Sequence, residues 1–210
     1  MSLYRPAAFA SDDEAAIARL FDEHPFATLI TPGPDEPQVS HLPLLRRREP
    51  GPHGSLIGHM ARANPHWNHF ESGASLAIFH GPHAYVSPSW YVQPAIQVPT
   101  WNYAVVHVRG RARIVADRAA TLATLQHMVA RFEGGRAAPW RLQLEGARLD
   151  AMVGAIVAFE IEIERIDAKF KLSQNRDEAD RRRVAAALRT EAYADATATA
   201  DWMDREAGSE

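Results

Sequence analysis

Between Phe79 and Gly110 the chain reads FHGPHAYVSPSWYVQPAIQVPTWNYAVVHVRG, and this stretch restricts the folds open to it. Two of the five tryptophans and three of the five tyrosines fall there, together with three histidines and four prolines. Aromatic density of that kind favours burial, while each proline withholds a ladder donor, so the stretch cannot be one strand or one helix. The pattern predicts two apolar strands, 76–80 and 103–109, joined by a rigid aromatic loop. A loop held by sheet strands is a common place for binding groups. A proline-fixed core loop is the equally simple alternative.

The remaining segments fit around a sheet. Ser11-Asp12-Asp13-Glu14 has the form of a capping box, with Ser11 as N-cap, and opens a helix that buries Ile17, Leu20 and Phe21. Residues 26–31 and 38–45, separated by a Pro-Gly-Pro-Asp-Glu turn, read as an antiparallel hairpin. Residues 46–54 read as an exposed loop and 55–59 as a third strand. Asn64-Pro65 marks a helix start that turns Trp67 and Phe70 inward. Strands follow at 75–80 and 103–115, the second with a bend at Gly110. Helices are predicted over 117–133 and around Leu149–Val153, then a strictly alternating strand at 159–164 and a charged helix at 177–190. Its glutamates Glu160, Glu162 and Glu164 belong to the wet face. We expect one domain over residues 1–190 and a loosely ordered tail over 191–210. The order lacks βαβ regularity, so the fold class is mainly β, an antiparallel barrel or sheet with peripheral helices.

Composition removes several function classes. With no cysteine there are no disulfides, thiolate metal sites or zinc fingers. No run approaches 18 apolar residues and the N-terminus has no apolar signal core, which points to a cytoplasmic chain that does not enter a membrane. A formal charge of −3 provides no general attraction to nucleic acid. The triplet Arg181-Arg182-Arg183 is flanked by Asp177, Glu178 and Asp180, so direct nucleic-acid binding is doubtful.

The chemistry-bearing residues are fewer. In GHMARANPHW a strand end delivers Arg62 to a helix start, a combination of guanidinium and backbone donors suited to a phosphate-sized anion. Solvation of Arg62 with Asn64 as a plain cap is the competing reading. His66 and His69 lie one turn apart without the further ligands that zinc needs, so no metal site is assigned. His41, His59, His80 and His107 lie on predicted strands, where a hydrogen-bonded core role is the commoner one. No nucleophile elbow, P-loop or dinucleotide fingerprint occurs, and no catalytic residue is assigned.

Taken together, MSLYRPAAF, HPFATLIT, SHLPLL, GHMARANPHW, FHGPHAYVSPSWY, VPTWNYAVVHVRG and KFKLSQNR resemble the PaiB-type family of FMN-binding negative transcriptional regulators, from Met1 to about Leu188. The resemblance implies a six-stranded antiparallel Greek-key split barrel, akin to pyridoxamine-phosphate-oxidase-like flavoproteins, acting as a homodimer with FMN in a groove between subunits. It places Arg62 and the amides near Asn64 on the phosphate, and His59, Met60 and Ala61 along the ribityl chain. Ser40 and His41 would approach the ring. Thr100, Trp101 and Asn102 would come from the partner chain or the barrel rim, with Lys171, Ser173 and Gln174 also at the ring. The function implied is a flavin-dependent sensor or regulator without a DNA-reading element of its own. The alternatives are a flavin-dependent oxidoreductase acting on a small molecule and a haem-handling split barrel.

Overall fold

The computed structural model describes residues 3–49 and 51–207, the side chain of Ala207 excepted. In chain order these form β1 (Ala10–Ser11), α1 (Glu14–Glu23), β2 (Phe26–Thr31), β3 (Gln38–Pro43), β4 (Leu45–Arg47), β5 (Ser55–Ala61), β6 (Ser75–Val86) and β7 (Thr100–Ile114). Then follow α2 (Arg118–Glu133), α3 (Gly146–Gly154), β8 (Ile156–Lys171), α4 (Glu178–Leu188) and α5 (Ala194–Ala207). The strands run in the order β3-β2-β6-β7-β8-β5-β4, and β1 pairs with β8. The expected class holds, with eight strands in place of six because β1 and β4 are short additions of two and three residues.

The chain divides into two units. One comprises the residues up to His24, Phe79–Val106 and those from Asp167 onward; the other comprises Pro25–Ile78 and His107–Ile166. In the second unit the predicted hairpin forms, with Leu29 opposite Ser40 and Thr28 opposite His41. Strand β5 pairs antiparallel with β8, Gly58 opposite Phe159. Its core joins Leu45, Ile57 and Met128, and Phe70 stacks on Phe159 at 5.0 Å. Gly110 does not break β7. A Cβ there would sit 2.1 Å from the Glu162 carbonyl oxygen, so only glycine permits that approach. Glu162 and Glu164 face solvent beside Arg113 and Arg111 as the alternation predicts, whereas Glu160 is half-buried and accepts a hydrogen bond from Ser55.

In the first unit Phe21 meets Phe79 edge-on at 4.6 Å, and Phe170 meets Trp202 at 5.5 Å. The helix α1 is capped by Asp13, whose carboxylate accepts from Ala15 N at 2.8 Å; Ser11, expected as the cap, accepts from Asp13 N one step earlier. A charged acceptor beside the first turn outcompetes a hydroxyl two residues further back. Both strands flanking the aromatic stretch are longer than predicted, and the loop contracts to two single 3₁₀ turns, Pro88–Trp90 and Pro94–Ile96. Helix α4 holds that loop. Asp180 accepts from Val92 N at 2.8 Å, Arg183 donates to Trp90 O at 2.9 Å, and Arg176 lies over the Tyr91 ring at 5.0 Å.

The tail expectation fails over residues 194–207. These form α5, with Ala196, Ala200, Trp202 and Met203 buried and Trp202 Nε1 donating to Glu23 at 3.2 Å. The spacing 196, 200, 203 is helical, but small and polar residues diluted it in the sequence. Residues 208–210 lie outside the described part.

Candidate functional site

The sequence-assigned candidates fall into two clusters, one in each unit. In the second unit β5 ends at Ala61, and the chain turns through Arg62 and Asn64 into a 3₁₀ helix, Pro65–Ser72. The Asn64 side chain accepts from His66 N at 3.0 Å, so the predicted cap is formed and one of the expected free amides is consumed by it. Arg62 is exposed yet fixed. Its Nε donates to Gly154 O at 2.6 Å and its Nη2 to Ile156 O at 2.8 Å, where α3 gives way to β8. These bonds use two of five guanidinium N–H groups. Arg62 also lines a cavity of about 340 Å³ with Arg118, Thr121, Val115 and Val157. Arg118, which no sequence pattern singled out, is paired with Asp150. Two guanidinium groups at one cavity make a donor set suited to a phosphate, while the Thr121 hydroxyl donates to the Asp117 carbonyl at 2.9 Å.

Along β5 the three neighbouring candidates differ. Met60 is buried in the core, Ala61 is exposed, and His59 is half-buried with Nδ1 3.3 Å from Met128 Sδ. Burial holds the His59 imidazole below its ordinary pKa. Met60 therefore has only its backbone to offer a ligand.

Ser40 and Asn64 are brought together, and with them residues that the sequence reading did not connect. Asn64 Nδ2 donates to Ser40 Oγ at 2.9 Å, and Ser40 Oγ lies 2.8 Å from His66 Nδ1. His66 Nε2 lies 2.8 Å from Thr31 Oγ1, which lies 2.7 Å from Ser75 Oγ. His66 is 1% exposed, so the buried imidazole of this unit is not one of the four strand histidines expected in the core. Desolvation, then the nearby charge of His69, lowers its pKa to about 4. Both its nitrogens are taken by hydroxyls, which excludes the metal pairing with His69. His41 is instead exposed, 3.2 Å from Thr28 Oγ1, because alternation along β3 turns Ser40 and Leu42 inward. His80 is exposed as well, and His107 is half-buried.

In the first unit Lys171 Nζ donates to Thr100 Oγ1 at 2.5 Å and to Trp101 O at 2.6 Å. Desolvation, then the charges of Lys169 and Arg176, lowers its pKa. Asn102 is buried and donates to Ser173 Oγ at 2.9 Å and to Met203 Sδ at 3.3 Å. Ser173 has φ 68°, a left-handed conformation locked into the turn that follows β8. Gln174 is spent on its own loop, accepting from Leu172 N at 2.7 Å and donating to Phe170 O at 2.5 Å. Beside them His80, His83, Trp101 and Tyr103 line a largely apolar cavity of about 400 Å³ floored by Ala104 and Val105. The indole of Trp101 stands 6.1 Å from the His83 ring and 6.2 Å from Tyr85.

A family profile described as "Putative FMN-binding domain" matches residues 3–165. The chain is 36% identical over 206 residues to the "Protease synthase and sporulation protein PAI 2" of Bacillus subtilis, covering 96% of this chain and 97% of that relative. Among solved structures, a flavocytochrome from Azotobacter vinelandii is similar with TM-score 0.62 and 18% identity, over 77% of this chain and 69% of that one. A FAD and heme binding protein from Mycobacterium smegmatis has TM-score 0.59 and 18% identity, over 77% and 73% of the two chains. These likenesses agree with the split-barrel class read from the sequence.

Proposed function

The chain belongs to the FMN-binding family whose profile spans residues 3–165, FMN is its cofactor, and from that premise we propose that it works as a flavin-dependent sensor or regulator. The observation that carries the binding site is the cavity at the end of β5, which Arg62 and Arg118 both line. The phosphate binds there, with Arg62 held in position by the Gly154 and Ile156 carbonyls. Ser40 on β3 approaches the ring with its hydroxyl and His41, whose side chain faces the other way, with its backbone; His59, Met60 and Ala61 follow the ribityl chain, Met60 through its backbone. Thr100, Trp101 and Lys171 serve FMN from a second copy of the chain, and Asn102, Ser173 and Gln174 hold that rim through their own hydrogen bonds. FMN supplies the redox chemistry; the protein binds and orients it.

The regulatory part of this reading follows the family resemblance of the sequence, the B. subtilis relative being named for protease synthesis and sporulation, and needs no DNA-reading element. Of the triplet Arg181-Arg182-Arg183, Arg182 is paired with Glu178 and Arg183 is committed to Trp90. No helix of the described residues is long and apolar enough to cross a membrane. A second reading, oxidoreductase chemistry on a planar small molecule, is favoured by the cavity under Trp101 and Tyr103. NAD(P)H-driven bleaching of bound flavin would support it, and a Soret band on adding haemin would point to haem handling instead.

Flavin-fluorescence titration tests the assignment. Charge-assisted hydrogen bonds contribute roughly 1.5–3 kcal/mol, so Arg62→Ala weakens FMN by about ten- to a hundredfold. Riboflavin, which has no phosphate, binds wild type and variant alike. Unchanged FMN affinity in the variant places the phosphate elsewhere.

A further inference from the structure

The buried chain Ser75–Thr31–His66–Ser40 is polar throughout, and through Ser40 it joins Asn64 in the second unit's candidate cluster. Each of its four members can both donate and accept, and only Asn64, at its end, is fixed as a donor through Nδ2. Such a chain has two self-consistent hydrogen arrangements. In the first, Ser75 donates to Thr31, Thr31 donates to His66 Nε2, and His66 Nδ1–H donates to Ser40. Ser40 then accepts from both His66 and Asn64, and its own O–H is left for a third partner. In the second, Ser40 donates to Nδ1, Nε2–H donates to Thr31, and Thr31 donates to Ser75. Ser40 is then left with one lone pair for a third partner.

The same four hydrogens are present in both arrangements. Exchange moves the ring hydrogen from Nδ1 to Nε2 and reorients three hydroxyls, with no net proton uptake or release. Because His66 is neutral down to a pH of about 4, it carries one ring hydrogen at physiological pH and is free to choose its nitrogen. Ser40 itself retains 7% exposure.

We propose that Ser40 uses this reversal toward bound FMN, donating to an accepting edge atom of the oxidised ring and accepting from the N–H that reduction places there, with His66 as the positioning residue that changes tautomer to allow it. The inference rests on Ser40 lying at the flavin ring, as proposed above. A lysine, an arginine or a backbone N–H can only donate, and would match one redox state at the expense of the other. A serine whose polarity is set by a neutral imidazole matches both.

The test is ¹⁵N NMR of histidine-labelled, FMN-loaded full-length protein, first oxidised and then reduced anaerobically, with His66→Gln used to assign the signal. The expected result is Nδ1–H with oxidised FMN and Nε2–H with reduced FMN. One tautomer in both states overturns the proposal. Thr31→Val provides a second readout, since it removes the acceptor for Nε2–H. A buried N–H without an acceptor is tolerated less well than an unused lone pair. The variant should therefore bind reduced FMN about tenfold more weakly while oxidised FMN changes little. Equal weakening of both forms leaves Thr31 a structural residue and also sinks the proposal. Failure of the wild type to retain FMN at all sinks the flavin site itself, a different result from retention with a fixed tautomer.

Discussion

His66 ties the site to stability through its proton. Its folded pKa of about 4 lies below the ordinary value of 6.5, so between those limits the unfolded chain binds more protons. Stability contributed by the neutral ring is present above pH 6.5 and is lost as pH falls toward 4. His24 and His59, also lowered by burial, act in the same direction. Urea unfolding should lose about 2–3 kcal/mol between pH 7 and 4.5 through His66, and His66→Gln should flatten that part of the profile. An unaltered slope in the variant would assign the pH dependence to other groups. The sequence alone offered His66 only as a neighbour of His69. Nothing local marks Thr31 as its partner or Ser75 as the next hydroxyl, because Thr31 lies 35 residues before His66 and 44 residues from Ser75.

At the scale of elements, strands and capped helices were legible because their signals are short-range. Asn64-Pro65, Asp117 and the alternation of 159–164 each describe a few adjacent residues, and each element formed. Element lengths were less legible, since pairing can carry a strand through His80 or Lys171 whatever its own propensity. Helix α5 is the sharpest case. Trp202 packs edge-on against Phe170, receives the Arg19 guanidinium at 5.3 Å and donates to Glu23. We expect Trp202→Ala to cost about 3–5 kcal/mol in denaturant unfolding, the range for truncating a buried aromatic. A loss below about 1 kcal/mol would return this helix to the status of a loose tail.

For the whole molecule, the aromatic stretch between Phe79 and Gly110 leaves apolar surface uncovered. Val92, Ile96, Val98 and Trp101 are 55%, 73%, 67% and 51% exposed. Apolar side chains gathered in this way mark a partner surface, and a second copy of the chain is the partner proposed with the FMN site. A stable dimer needs about 1,000 Å² of interface. Light scattering at micromolar concentration should give the mass of a dimer, and Ile96→Lys with Val98→Lys should give that of a monomer with weakened FMN binding. A wild-type monomer would refute the arrangement.

The sequence by itself determined the β-rich class, the hairpin, the Asn64 cap, the absence of thiol chemistry and the block containing Arg62, because composition, period and turn chemistry act between near neighbours. Tertiary structure alone decided that Arg62 is clamped by Gly154 and Ile156, that Arg118 shares its cavity, and that Lys171 reaches Thr100. It also decided that His66, not His41 or His80, is the buried imidazole. Those pairings join residues tens of positions apart. Their partners are chosen by strand register and side-chain burial, which no local pattern encodes.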